Sequence, residues 1–343
     1  MTEPAAGVHG FDEARLAAYL ERHIDGFRGP VTATKFARGQ SNPTFKLETP
    51  GGAYVLRRKP PGALLASAHA VDREYRVLQA LDGRGVPVAR PYHLCTDDSV
   101  IGSWFYVMAF MDGRVFWDPA LPNLKPPERA AIYDRMNAVL AAIHTVDVEA
   151  AGLADFGKPG NYFARQTGRW TKQYRASETE PVPAMEFLID WLPRHLPPED
   201  GRSCLIHGDF RLDNLMFAVD RLEVIAVFDW ELSTLGHPLA DLAYQCMQWR
   251  FPRDWPVKGL AGLDLADLGI PAEADYVAAY VQRTGAEIGP HWPFYLAFSF
   301  FRLAAICQGG KRRALDGNAS SAEAMTVGGM VAPLAALGRD AAG

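Results

Sequence analysis

The stretch Leu205-Ile206-His207-Gly208-Asp209-Phe210-Arg211-Leu212-Asp213-Asn214-Leu215 sets a carboxamide five residues after a carboxylate, and Val227-Phe228-Asp229-Trp230-Glu231 follows with two more carboxylates. Phosphoryl transfer to an alcohol needs a carboxylate that orients the attacking hydroxyl. It also needs oxygen ligands that hold a divalent metal against the triphosphate charge. Asp209 suits the first task. Asn214, on the same loop, and Asp229, at the end of a following strand, suit the second, as ligands for Mg²⁺ serving ATP. Asp-x-x-x-x-Asn is the spacing of a kinase catalytic loop, with His207 two residues before the Asp. Gly208 stands where protein kinases carry Arg, which points toward small-molecule acceptors. Glu231 reads equally as a metal ligand or as an acceptor of backbone hydrogen bonds, and Asp213 as a turn carboxylate.

These residues need a scaffold, and the periodicities supply one. Phe11 to His23 has helical spacing and ends at Gly26 and Gly29-Pro30. Val31 to Leu47 alternates around a turn at Gly39-Gln40-Ser41-Asn42-Pro43, and a further strand runs from Tyr54 to Arg57. A helix is expected from Ala68 to Leu81, then strands at Val86 to Leu94 and Trp104 to Met111. The N-terminal part is therefore β-β-β-α-β-β. From about Arg129 the pattern turns helical, with segments at Ala130 to His144, Phe163 to Arg175, Met185 to His195, Asp275 to Arg283 and Trp292 to Cys307. One β island interrupts them, made of Ser203 to Ile206, Leu215 to Ala218 and Val224 to Phe228. Pro119 to Pro127 reads as a linker. The expected class is α+β, with domains at 1–112 and 113–343.

Composition excludes other functions. A formal net charge of -5 among 343 residues, with basic residues scattered, gives no footprint for nucleic acid. The four cysteines are far apart and form no C-x-x-C pair, so neither zinc nor a disulfide framework is expected. The N-terminus lacks a secretory pattern, and Trp292 to Cys307 is too short and too polar to span a bilayer. A cytoplasmic protein without a membrane partner is expected. Gly309-Gly310-Lys311 is no Walker loop, and no nucleophile elbow or zinc helix is present.

The His-Gly-Asp-x-x-x-x-Asn loop with its later Asp-Trp-Glu resembles the aminoglycoside phosphotransferase-like family over nearly the whole chain. The branch joined to acyl-CoA dehydrogenases is the nearest likeness. It is carried by Gly39-Gln40-Ser41-Asn42-Pro43-Thr44, Val55-Leu56-Arg57-Arg58-Lys59-Pro60-Pro61-Gly62, Asp72-Arg73-Glu74-Tyr75 and Gly236-His237-Pro238-Leu239-Ala240-Asp241-Leu242-Ala243.

The resemblance implies a bilobal protein-kinase-like fold, with a small antiparallel-sheet N-lobe and a mainly helical C-lobe. It implies that the turn at Gly39, Ser41 and Asn42 covers the phosphates. Arg57 takes the place of the usual strand Lys, with Glu74 as its helix partner and Lys59 as the substitute. Met108 to Met111, in particular Ala109 and Met111, corresponds to the hinge that reads adenine, and Asp241 to the buried Asp that holds the catalytic loop. It also implies a hydroxyacyl acceptor, with a functional link to an acyl-CoA dehydrogenase. An aminoglycoside acceptor, a nucleotide-binding regulator without turnover, and a hydrolase with a metal on His207, Asp209 and Asp229 are the alternatives. Trp170, Gln173, Tyr174 and Arg302, with Glu231, are candidate acceptor contacts, although aromatics at helical spacing are usually core. Arg165, Arg169, Lys172 and Arg175 would suit an anionic acceptor.

Overall fold

The computed structural model describes residues 9–36, 42–60, 70–316 and 326–343. In chain order the elements are α1 (Glu13–Leu20), β1 (Thr32–Lys35), β2 (Thr44–Thr49), β3 (Gly52–Arg58), α2 (Val71–Leu81), β4 (Pro91–Cys95), α3 (Asp98–Ile101), β5 (Phe105–Ala109) and β6 (Arg114–Val115). There follow α4 (Pro126–His144), α5 (Tyr162–Ser177), α6 (Pro183–Arg194), β7 (Cys204–Ile206), β8 (Leu215–Phe217), β9 (Val224–Val227) and β10 (Thr234–Gly236). The chain ends with α7 (Leu239–Cys246), α8 (Leu265–Leu268), α9 (Glu273–Thr284), α10 (Trp292–Leu315) and α11 (Val331–Ala342). They gather into two compact units, Met1–Arg114 with Leu215–Leu232, and Val115–Asn214 with Ser233–Gly343. Leu215–Leu232, which the sequence assigns to the helical part, thus packs with the first unit.

The first unit is built on an antiparallel sheet of order β1-β2-β3-β5-β4. Side chains on a strand alternate between faces, and β3 shows what that does here. Leu56 joins Phe45, Leu47, Phe105 and Val107 on one face, packed with Leu16 and Leu20 of α1. Burying each such side chain contributes about 1.5–3 kcal/mol. Arg57 falls on the opposite face, opposite Thr44 of β2 and Tyr106 of β5. On that face the Tyr75 ring of α2 lies 5.9 Å from the Tyr106 ring. Asp12 caps α1 by accepting from the backbone N–H of Ala14 at 2.9 Å and Arg15 at 3.1 Å.

The second unit is organised around α10, which packs on α5, α6, α7 and α11. Every residue of α7 is buried. Gly338 of α11 allows a close helix crossing, since a Cβ there would lie 2.9 Å from Leu188 Cδ1 and 3.0 Å from Phe300 Cβ.

Several boundaries differ from expectation. The β island is two separate pieces, because β7 pairs with β10 (Leu205 opposite Leu235) while β8 and β9 form a hairpin of the first unit. Only the second half of Val86 to Leu94 is strand. Pro126 and Pro127 start α4 rather than ending a linker, since proline fits a first helical turn whose N–H groups lack partners anyway. The α10 helix runs past Cys307 to Leu315, helped by Gln308, which donates to Ser177 O at 2.6 Å, and by a Lys311–Glu180 ion pair at 2.5 Å. Among the described residues no helix is long and apolar enough to cross a membrane.

Candidate active site

The loop after β7 is fixed from beneath by a buried carboxylate. Asp241, fully enclosed on α7, accepts the backbone N–H of His207 at 2.6 Å and of Gly208 at 2.8 Å. His144 Nε2 lies 3.3 Å from the same carboxylate, and its Nδ1 is 2.6 Å from the Tyr280 hydroxyl. Burial alone would raise the Asp241 pKa. The hydrogen bond and charge of His144, with His207 and the Gly208 amide, outweigh it and hold the carboxyl below its ordinary value.

Gly208 has φ of +84°, the left-handed region where a side chain is costly. That requirement explains glycine here and aims the next residue outward. Gly208→Ala is expected to cost about 1–2 kcal/mol in chemical denaturation, with a loss of turnover larger than the stability loss alone would give.

Asp209 emerges from this turn with a side chain 21% exposed, flanked by buried Phe210 and Leu212. Asn214 Nδ2 donates to the Asp209 backbone oxygen at 2.8 Å and to Asp209 Oδ2 at 3.2 Å. The carboxamide nitrogen being so used, Asn214 turns its carbonyl oxygen to other work. Arg211 lies 3.5 Å from Asp209 Oδ1 and donates to Asp213 Oδ2 at 2.9 Å.

His207 is fully buried, and its Nδ1 accepts the Asp209 N–H at 3.2 Å. The sequence makes it catalytic. In the structure the enclosed ring braces the loop through that bond.

In the first unit, Arg57 Nε lies 2.8 Å from Glu74 Oε2, and Nη2 donates to Asp229 Oδ1 at 2.8 Å, with Glu231 Oε2 at 4.0 Å. Glu74 is 2% exposed and also accepts from Asn42 Nδ2 at 2.7 Å and the Tyr106 hydroxyl at 3.1 Å. Burial pulls the Arg57 pKa down, but Glu74, then Tyr106 and Asp229, reverse this and leave it raised. For Glu74, burial dominates and the direction is upward, against the pull of Arg57. Asp229 follows β9 with φ of +60°, rare for a non-glycine residue, in a turn pinned by Trp230 Nε1 donating to Val227 O at 3.1 Å. Arg57→Lys keeps the charge but loses the fork that serves Glu74 and Asp229 together. It is expected to cost about 1–2 kcal/mol in urea melts.

The model of the phosphotransferase enzyme family APH matches residues 32–298. The chain belongs to this family. The chain is 48% identical over 327 residues to acyl-CoA dehydrogenase family member 10 of Mus musculus, and 45% identical over 335 residues to acyl-CoA dehydrogenase family member 11 of Rattus norvegicus, covering 94% and 96% of its length. It spans only 30% and 43% of the lengths of those relatives. The crystal structure of a protein of Ralstonia eutropha JMP134, provisionally designated an aminoglycoside phosphotransferase, matches with a TM-score of 0.88 at 55% identity, covering 97% of this chain and 98% of that one. A thermostable mutant of aminoglycoside phosphotransferase APH(4)-Ia, solved with ADP and hygromycin B, matches with a TM-score of 0.62 at 16% identity, covering 95% and 98%. At that identity the likeness speaks for the fold alone. The resemblance to the kinase domain joined to acyl-CoA dehydrogenases therefore holds, and so does the α+β kinase-like class.

Other expected site residues fall in mixed places. Gly39 and Ser41 lie outside the described residues. Asn42 is fully buried, and its Nδ2 donates to Glu74 Oε1 at 2.7 Å. Lys59 Nζ sits 3.9 Å from the centre of the Trp104 ring and 3.8 Å from Asp72 Oδ1, away from the Glu74 pair that Arg57 holds. The Ala109 N–H is taken by Arg90 O at 2.8 Å, while Met111 lies half-buried just past β5. Glu231 stands beside Arg57, whereas Trp170, Tyr174 and Arg302 gather in the second unit. The residues that sequence reasoning missed are Arg211 and Tyr244. Arg211 sits two positions after Asp209 and was readable as its ion partner, but Tyr244 lies on the unrecognised α7.

Proposed function

We propose that the chain is an ATP- and Mg²⁺-dependent small-molecule kinase that phosphorylates the hydroxyl of a hydroxyacyl compound, a hydroxyacyl-CoA or a related hydroxy acid. The observation that carries the reading is the loop itself, in which Asp241 fixes the backbone at His207 and Gly208 while Asn214 braces Asp209. Asp209 accepts the proton side of the acceptor hydroxyl and aligns its oxygen for attack on the terminal phosphate.

The Asn214 carbonyl and the Asp229 carboxylate are hard oxygen donors, which suits Mg²⁺, an ion that takes few protein ligands and completes its shell with water and phosphate oxygens. When bound, the metal neutralises phosphate charge. Arg57, held on Glu74 and Asp229, is assigned to the phosphates through its charge, and the Met111 backbone to the base.

The likeness to the acyl-CoA dehydrogenase family members supports the hydroxyacyl acceptor over an antibiotic, and a functional link to such a dehydrogenase goes with it. The test is ADP release by the purified protein with MgATP and a panel of hydroxyacyl-CoAs, hydroxy acids and aminoglycosides. Turnover confined to the hydroxyacyl compounds is expected. Preference for aminoglycosides would replace the acceptor class, and ATP binding without transfer to any alcohol would make the chain a regulator.

A further inference from the structure

Helices α5, α7 and α10 of the second unit enclose polar groups that the fold leaves without partners. Arg302 of α10 is 4% exposed, and among the described residues no carboxylate lies within ion-pair distance of it. Its guanidinium instead sits 5.6 Å from the centre of the Trp170 ring and 5.2 Å from that of Tyr244. Along α5, Thr167 Oγ1, Trp170 Nε1 and the Tyr174 hydroxyl are buried with no hydrogen-bond partner. Spacings of three and four put these three on one face of the helix, and the helix packs on α10.

Buried polar groups are almost always satisfied, and a buried guanidinium without a counter-charge is rarer still. Stacking on two rings offsets part of that cost but supplies no acceptor for the five N–H groups of the fork. The Tyr244 hydroxyl beside Arg302 is held well above its ordinary pKa by burial and then by Asp209, with Arg211 and Arg302 pulling the other way.

Of the basic residues on the outside of α5, Arg175 is taken by Glu186 at 2.5 Å, Arg165 donates to the backbone oxygens of Lys158 and Pro159, and Arg169, 5.4 Å from the Trp170 ring, is exposed where Arg302 is buried.

We infer that Arg302, framed by Trp170 and Tyr244, is the specificity residue for an oxyanion carried by the phosphoryl acceptor. The orphaned Nε1 of Trp170 belongs to the ring that frames it. This deepens the kinase reading and rests on it for the identity of the bound molecule as acceptor. The oxyanion is a carboxylate if the acceptor is a free hydroxy acid, or a phosphate if an acyl carrier brings it. A polycationic acceptor is disfavoured by the same charge.

The experiment compares a hydroxy acid, its CoA thioester and its neutral methyl ester as acceptors for the full chain. The wild type is expected to favour the charged acceptor over the ester, and Arg302→Met to raise its KM by about 10- to 100-fold, collapsing that preference. Arg302→Lys, which keeps charge and much of the packing, is expected to restore part of it. The KM for ATP serves as the control for folding. Dependence shown by the free acid assigns the carboxylate, and dependence confined to the thioester assigns the phosphate. Equal use of the ester, or one preference ratio in wild type and Arg302→Met, overturns the inference. If no acceptor is phosphorylated, the kinase reading fails, and calorimetric binding of the hydroxy acid and of CoA to wild type and Arg302→Met still decides the oxyanion site. Loss of binding in the variant supports the site, and equal binding or none to the wild type removes it.

Discussion

Asp209→Asn is expected to lower kcat by about 10²- to 10⁴-fold, the range that a positioned acid–base group contributes, while MgATP binding persists. The substitution preserves volume and leaves an oxygen that Asn214 Nδ2 can still reach, so the loop keeps its shape. What disappears is the negative charge facing the acceptor hydroxyl, together with the ion pair to Arg211. Single-turnover phosphate transfer gives the loss in the chemical step, and fluorescence titration with a nucleotide analogue gives the binding. An unchanged rate would remove Asp209 from the reaction. A parallel loss of nucleotide binding would show that the residue acts on ATP rather than on the acceptor.

Asp241→Ala is expected to produce the largest fall in stability, about 3–5 kcal/mol. Two backbone N–H groups lose their acceptor inside the protein, and His144 loses its partner at the same time. Urea denaturation reads the loss. Turnover is expected to fall further than stability explains, since the same two bonds set the direction in which Asp209 leaves the chain. The effect carries a pH signature. A carboxyl whose folded pKa is depressed contributes stability above its unfolded value, 3.8, and loses that contribution as pH falls through the folded value. The gap between wild type and variant is therefore largest above about pH 4 and narrows below it. A gap that widens on acidification would mean that Asp241 is not the ionised anchor described here.

The sequence announced the chemistry because catalytic loops are local. Asp209, Asn214 and Gly208 lie within seven residues, and what they require of one another, a left-handed turn and a carboxamide within reach of a carboxylate, is written in spacing and residue type. The hairpins of the first unit were legible for a similar reason, since β2 and β3 pair across a short turn. The likeness to the family put Arg57 in the place of the strand Lys with Glu74 as its partner, and alternation along β3 is what sets it on the face away from Leu56.

Contacts between distant segments were decided elsewhere. Leu239–Cys246 is a helix of eight residues, all buried, and nothing local to it tells which distant segment it packs on, so Tyr244 was not legible beside Asp209. The move of Leu215–Leu232 into the first unit, and with it the division of the β island, follows from β8 pairing with β9 while β7 takes β10, a choice that neighbouring apolar runs leave open. Residue type suggested core for Trp170 and Tyr174, and Arg302 stood only as a candidate acceptor contact. Only packing of α5 against α10 showed a buried cation without an anion, and burial of that kind is a property of the assembled helices, not of any one of them.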